Sequence, residues 1–351
     1  MSGDNGDSPD KLAGFPHPRQ ATSLSGHGEA ASAILEGLRA GRLHHAWLIG
    51  GPHGIGKATF AYHVAKMLLG LKPGVVAAPS SIVVDAASQS ARLVAAQAHP
   101  DLVVLRRQPA TDKKNATTQI PVETVRRALD VFGSTTSAGG WRVCIIDSVE
   151  DLNNAGANAL LKVLEEPLPR SIFLMVAHQP GRVMPTIRSR CRKLMLNPLN
   201  VAEMAEALAH LGVSNSPEEI AQAISLADGS VRRALVRLDP ETLSLITGTR
   251  AILSGLPSVP LKAAQAMAEQ LAGRSGEADF FIFLETVEDW INAQVHTLAG
   301  QGAHRLAPLA QVWEKICATV RETDALNLDR RPVVLSIFHD LADAVMRMRA
   351  A

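Results

Sequence analysis

The chain has 351 residues, 46% hydrophobic and 20% charged, a globular balance that excludes a wholly disordered, collagen-like or disulfide-stapled protein. At roughly 100 to 200 residues per domain, that length predicts two or three domains. The 35 basic and 34 acidic side chains leave a formal charge of +1, and aromatics are only 4%, so neither a global field nor a base-stacking platform draws the molecule to nucleic acid and any such contact is local.

Residues 1–20 are rich in Gly, Ser, Asp and Pro without a hydrophobic period, which predicts a disordered tail that carries no chemistry. Their acidic start is unlike a signal peptide, and no uncharged apolar run approaches the roughly 18 residues that cross a bilayer. A soluble, cytoplasmic protein without membrane contact is expected. Ile34, Leu35 and Leu38 keep helical spacing, HHAWLIGG reads as a buried strand ending in glycines, and Phe60, Val64, Met67 and Leu68 mark one face of a second helix. Residues 71–98 give no clear period, HPDLVVLRR reads as a short strand, and 107–119 as a polar loop; Arg106, Arg107, Lys113 and Lys114 are candidate phosphate contacts, with a solvated loop the preferred account. Val122, Val125, Leu129 and Phe132 then define a helix behind Pro121. WRVCIID and SIFLMVA are runs buried on both faces, separated by a helix with Ala157, Leu160, Leu161 and Leu164. Strands alternating with helices predict right-handed crossovers and a parallel sheet. Strand signals stop near Asn197, which places an α/β domain over 21–197, a small helical lid over 198–239 and an all-α domain over 240–351.

The strongest chemical signal is Gly51-Pro52-His53-Gly54-Ile55-Gly56-Lys57 between a predicted strand and a predicted helix. Backbone N–H groups of such a loop wrap phosphate oxygens, and the lysine reaches the terminal phosphates. Position 58 is Ala where the motif wants a Mg²⁺-holding hydroxyl, and Thr59, about 100° further round, is no simple substitute. Asp147 ends its strand where parallel sheets bind ligands and is the expected anchor for Mg²⁺. Ser148 follows it, a poor base at neutral pH, with Glu150 and Asp151 displaced by at least two positions. His178 and Gln179 follow SIFLMVA and either face the same pocket or are merely packed. Arg182, Arg188, Arg190, Arg192 and Lys193 form a solvated basic edge. Arg232 opens a helix and can fold toward a nucleotide, whereas Arg233 faces elsewhere. Cys144, Cys191 and Cys317 contain no CxxC pair, so reduced thiols and no structural metal are expected.

Together GPHGIGK, IIDSVEDLNNAGANALLKVLEEP, Ser189-Arg190-Cys191 and GSVRRAL resemble the clamp-loader branch of AAA+ ATPases, most closely its bacterial delta-prime group, and NLDRRPVVLSIFHDL resembles that branch's last helix. The resemblance spans about 21 to 345. It implies a RecA-like P-loop domain, a helical lid and a helical collar that joins five subunits into a ring. It further implies ATP or ADP with Mg²⁺ at residues 51–59, Asp147 and Arg232, an arginine donated in trans from Arg190 to the adjacent tau/gamma ATPase, and His178 near the first sensor position. Implied partners are the tau/gamma and delta subunits, with the beta sliding clamp and primed DNA reached through the assembly. Hydrolytic relatives carry Asp-Glu where this chain has Asp147-Ser148, and many carry a four-cysteine zinc module in the region of residues 71–98, which contain no cysteine. A stator that hydrolyses little ATP is therefore expected. The motor subunit, or another P-loop ATPase, is the alternative, and a ring-independent small-molecule kinase leaves Arg190 and the helical end unexplained.

Overall fold

The computed structural model describes residues 12, 14–72, 79–107, 119–133, 139–272, 276–298, 303–326 and 328–350. In chain order the first elements are α1 (Gly28–Arg39), β1 (Ala46–Gly50), α2 (Lys57–Gly70), α3 (Gln89–Ala95), β2 (Leu102–Arg106), α4 (Val122–Gly133), β3 (Arg142–Asp147), α5 (Asn154–Glu165), β4 (Ser171–Ala177), α6 (Pro185–Arg188) and β5 (Arg192–Met195). All five strands pair in parallel in the order β2-β3-β4-β1-β5. Every residue of β1 and β4 is buried, which is why both read as unbroken apolar runs rather than as alternations. The alternation is present but hidden. Trp47, Ile49, Ile145, Leu174 and Val176 enter one core with α1 and α2, while Leu48, Cys144, Ile146, Phe173 and Met175 enter a second core with α4 and α5. The first unit is thus an α/β P-loop domain of the expected class.

Helices α7 (Val201–His210), α8 (Pro217–Leu226) and α9 (Val231–Arg237) follow, the first two opened by capping boxes at Asn200/Glu203 and Ser216/Glu219. Then come α10 (Pro240–Ser254), α11 (Leu261–Leu271), α12 (Gly276–Leu298), α13 (Ala303–Leu326) and α14 (Arg330–Ala350). The chain divides into two compact units, Met1–Leu235 and Val236–Ala351. The second is all helical around Leu253, Phe280, Phe283, Val287, Phe338 and Leu341, with Phe283 and Phe338 edge to face at 5.5 Å. Among the described residues no helix is long and apolar enough to cross a membrane.

Three features depart from the sequence expectations. Residues 14–20 are ordered, not a featureless tail: Pro18–Gln20 form a 3₁₀ turn closed by a capping box on His17, and Arg19 Nε donates to Ala95 O at 3.0 Å. Composition hides this because the anchors are a local cap and a contact 76 residues away; residues 1–11 and 13 lie outside the described residues. Within 71–98, α3 is set by Ser88, whose hydroxyl accepts from Ala91 N, while 73–78 are outside the described residues. At the end of β2, Arg106 Nη1 lies 3.0 Å from His17 Nε2, and at the start of the polar loop Arg107 pairs with Asp151, so neither is simply solvated. Lys113 and Lys114 fall outside the described residues.

Candidate functional site

The loop between β1 and α2 owes its shape to glycines with close neighbours. Gly51 (φ +144°) leaves no room for a side chain, since a Cβ there would lie 2.5 Å from Leu196 O beyond β5. A Cβ on Gly54 (φ +75°) would lie 2.4 Å from Ser230 Oγ and 2.6 Å from the Cβ of Arg232, at the start of α9. The Arg232 amide also donates to Gly54 O at 3.2 Å, so α9 docks directly on the loop. Lys57, the first residue of α2, is 3% exposed, and its ammonium donates to Gly51 O at 2.8 Å and to Pro52 O. Burial pulls it down to about 8, with Asp147 and Glu150 opposing the shift.

These groups open onto a cavity of about 270 Å³. His53, Lys57, Asp147, His178 and Arg232 give it polar walls, Gly54, Ile55, Gly56, Ala58 and Thr59 line it from the loop and the first turn of α2, and Leu12, Phe15, Pro16, Leu24, Leu199 and Leu211 make an apolar wall. Of the residues expected here, Gly51 and Pro52 do not face the cavity; their carbonyls hold Lys57 instead. Arg190 is not in its lining either. Arg233 turns away to Asp228 at 3.4 Å, as the rotation along α9 requires. Leu12, Phe15, Pro16, His17, Pro18 and Gln20, within the segment 1–20 expected to carry no chemistry, are the clearest omission. Their apolar side chains separated by prolines are the one hint, and they carry no period.

At the ends of β3 and β4 several polar side chains are tied into local contacts. Asp147 is buried, and Ser148 Oγ donates to Asp151 Oδ2 at 2.9 Å while Arg107 Nε pairs with that same oxygen at 2.7 Å. Glu150 Oε1 accepts from the backbone N–H of His178 at 2.6 Å and of Gln179 at 2.9 Å. The carboxylate therefore ties the end of β4 in place. The His178 ring packs 4.6 Å from that of His53. Burial, then Lys57, His53, Arg107 and Arg232, push it down to about 3, so it is a neutral imidazole. This arrangement suits a polyphosphate: the buried Lys57 ammonium, the Arg232 guanidinium and a helix N-terminus converge on one loop.

The basic edge resolves into distinct roles. Arg192 stacks over Trp47 at 5.0 Å, and Arg182 bonds Gln179. Arg190 stands at the end of α6, half-exposed, with Nη2 2.6 Å from Glu165 Oε1 and Nη1 3.0 Å from Thr186 O. Ser189 Oγ donates to Thr186 O and the Cys191 thiol to Ile187 O, both at 3.1 Å. Burial pushes that thiol up to about 12, so Cys191 serves as a structural cap and not as a nucleophile.

A family model described as "DNA polymerase III, delta subunit" matches residues 26–200, from before α1 to beyond β5. The DNA polymerase III subunit delta' of Pseudomonas aeruginosa is 34% identical over 186 residues, covering 53% of this chain and 53% of that protein. The subunit delta' of Yersinia pestis is 32% identical over 221 residues, covering 62% and 60%. The subunit tau of Escherichia coli is 30% identical over 254 residues, covering 71% of this chain and 36% of that protein. The chain thus spans about half the length of the first of these curated relatives.

Proposed function

Because the chain belongs to the clamp-loader family of bacterial DNA polymerase III subunits, we propose that it is a delta-prime stator, a ring member that helps load the sliding clamp onto primed DNA and lends Arg190 to the ATP site of a neighbouring tau/gamma subunit. One contrast carries this reading. Arg190 is outward-facing and held in a fixed orientation, while in the chain's own site position 58 lacks a hydroxyl and Ser148 is bonded to Asp151. The three-part division, with a nucleotide domain over 21–197, a lid over 198–239 and a collar over 240–351 that joins the ring, belongs to the same proposal. The delta subunit is a further ring partner, and the beta clamp is met through the assembly.

ATP or ADP with Mg²⁺ is the ligand we assign to the cavity. The loop from His53 to Gly56 and the N-terminus of α2 would receive its phosphates, with Gly51 and Pro52 acting through their hold on Lys57; Lys57 and Arg232 would neutralise them, Ala58 and Thr59 would border them, and Asp147 would stand on the Mg²⁺ side. A bound triphosphate supplies the charge against which these cations are set. The protein's part is to hold it and exclude water. The apolar wall from Leu12 to Leu24 provides a dry surface beside the polar end.

The motor reading has one observation in its favour, the match to tau over 71% of the chain. Steady-state ATP turnover decides between the two. The stator predicts little turnover by the isolated chain, stimulation when it is mixed with tau/gamma and delta subunits, and loss of that stimulation with Arg190→Ala. Robust turnover by the isolated chain, abolished by Lys57→Ala, overturns it.

A further inference from the structure

Arg190 is held at two points by two different elements. Glu165, the last residue of α5, accepts from Nη2 at 2.6 Å, and the backbone carbonyl of Thr186 in α6 accepts from Nη1 at 3.0 Å. The carbonyl is itself fixed, because Ser189 Oγ donates to it from one side of Arg190 while the Cys191 thiol caps Ile187 O from the other. One hydrogen bond leaves a guanidinium free to swing about its long stem, whereas two bonds to separate supports define its plane. An exposed ion pair contributes little to folding, and the side chains here are 36% and 52% exposed. What Glu165 supplies is orientation.

We infer that Glu165 is a positioning residue for the trans arginine: its carboxylate presets the Arg190 guanidinium in the plane in which it meets a phosphate held by the neighbouring subunit. This rests on the trans-arginine reading above. The guanidinium has five N–H donors, of which Glu165 and Thr186 engage two, so Nε–H and the remaining Nη hydrogens are free to face an incoming anion without breaking either anchor. Arginine loses substantial rotamer freedom when it is clamped on a phosphate, and with Glu165 in place most of that loss occurs before the subunits meet.

The test is steady-state ATPase of the assembled ring, built with motor and delta subunits, ATP and Mg²⁺. It compares wild type with Glu165→Ala, Glu165→Asp, Arg190→Ala and the Glu165→Ala/Arg190→Ala double variant, and tracks ring assembly by gel filtration. Glu165→Ala is expected to lower kcat about fivefold, at the upper end of what an exposed ion pair can contribute, with KM for ATP and assembly unchanged. Glu165→Asp is expected to recover part of the loss, and the double variant to be no slower than Arg190→Ala alone, because Glu165 acts only through that arginine. An unchanged or raised kcat in Glu165→Ala overturns the inference, a rise meaning that the pair is a latch the neighbour has to break. So does a double variant slower than Arg190→Ala. If Arg190→Ala itself leaves the rate unchanged, the trans reading fails first and this inference falls with it.

Discussion

The first unit contains two corners that we propose address phosphate, and they are made in opposite ways. The inward one, between β1, β3 and β4, is bonded largely to itself: Lys57 to the carbonyls of its own loop, Ser148 to Asp151, and Glu150 through Oε1 to the amides of His178 and Gln179. The outward one, at the end of α6, presents a single half-exposed guanidinium on two rigid supports. The contrast shows that the glycines of a phosphate loop do not testify to hydrolysis. Gly51 is required by Leu196 O and Gly54 by the start of α9, so packing of the sheet edge and lid alone would retain them.

The largest effect separates the corners directly. Arg190→Ala is expected to reduce the neighbour's stimulated turnover by roughly 10³- to 10⁵-fold, the range of a trans arginine, while nucleotide affinity of the isolated chain stays within twofold. Arg190→Lys should not restore the rate, because a lysine cannot bridge Glu165 and Thr186 and still present a planar fork. Single-turnover kinetics of the reconstituted ring report the rate, and equilibrium titration reports the affinity.

The converse lesion comes next. Removing the buried ammonium with Lys57→Ala is expected to weaken nucleotide binding to the isolated chain about 100-fold, the size of losing one partner of a desolvated charge contact. Stimulation of the neighbour through Arg190 should change by less than twofold. If both quantities fall together, the two corners are coupled and the comparison fails.

How far either corner was legible depends on what kind of information it needs. Lys57, Asp147 and Arg232 could be placed from sequence because a strand end or a helix start fixes each one locally. Strands β1, β3 and β4 announced themselves by apolar runs, whereas β5 did not: two of its four residues are Arg192 and Lys193, only Leu194 is buried, and the run reads as a basic edge. The capture of His178 and Gln179 by Glu150 could not be read, since it depends on β3 and β4 being sheet neighbours with Asp147 opposite Val176. The wall from Leu12 to Leu24 was hidden for a similar reason, its anchors being Ala95 O and the His17 cap. The Glu165 support was equally silent, 25 residues from the arginine it holds.

A smaller effect follows from rebuilding the inward corner. Ala58→Thr combined with Ser148→Glu restores both missing groups, but a glutamate at 148 enters a place where Asp151 and Arg107 already pair at 2.7 Å. A well-placed general base is worth about 10²- to 10⁴-fold. Here the gain in turnover by the isolated chain is expected to be only about tenfold, measured as phosphate release, and to vanish with Lys57→Ala. A gain of several thousandfold would mean that the stator differs from a motor by these two residues alone.

The smallest effect is a pH slope that only the inward corner should possess. The buried Lys57 is held at about 8, below its ordinary value, so the free protein sheds that proton as pH rises through 8. A polyphosphate beside the ammonium favours the charged form and raises its pKa, so binding above pH 8 requires proton uptake and affinity falls as pH rises. With a free-state value near 8 and a bound-state value well above 9, affinity should drop about fourfold between pH 7 and pH 8.5. His178, held near 3, stays neutral across that interval, so His178→Gln should leave the slope unchanged. Lys66 is also held at about 8, but it donates to Ala21 O and does not line the cavity. Lys66→Gln should likewise preserve the slope, and a slope that disappears in that variant would move the titration from the phosphate loop to the buried face of α2. Stimulation through Arg190, which does not line this cavity, should show no such decline when the motor's own pH profile is divided out.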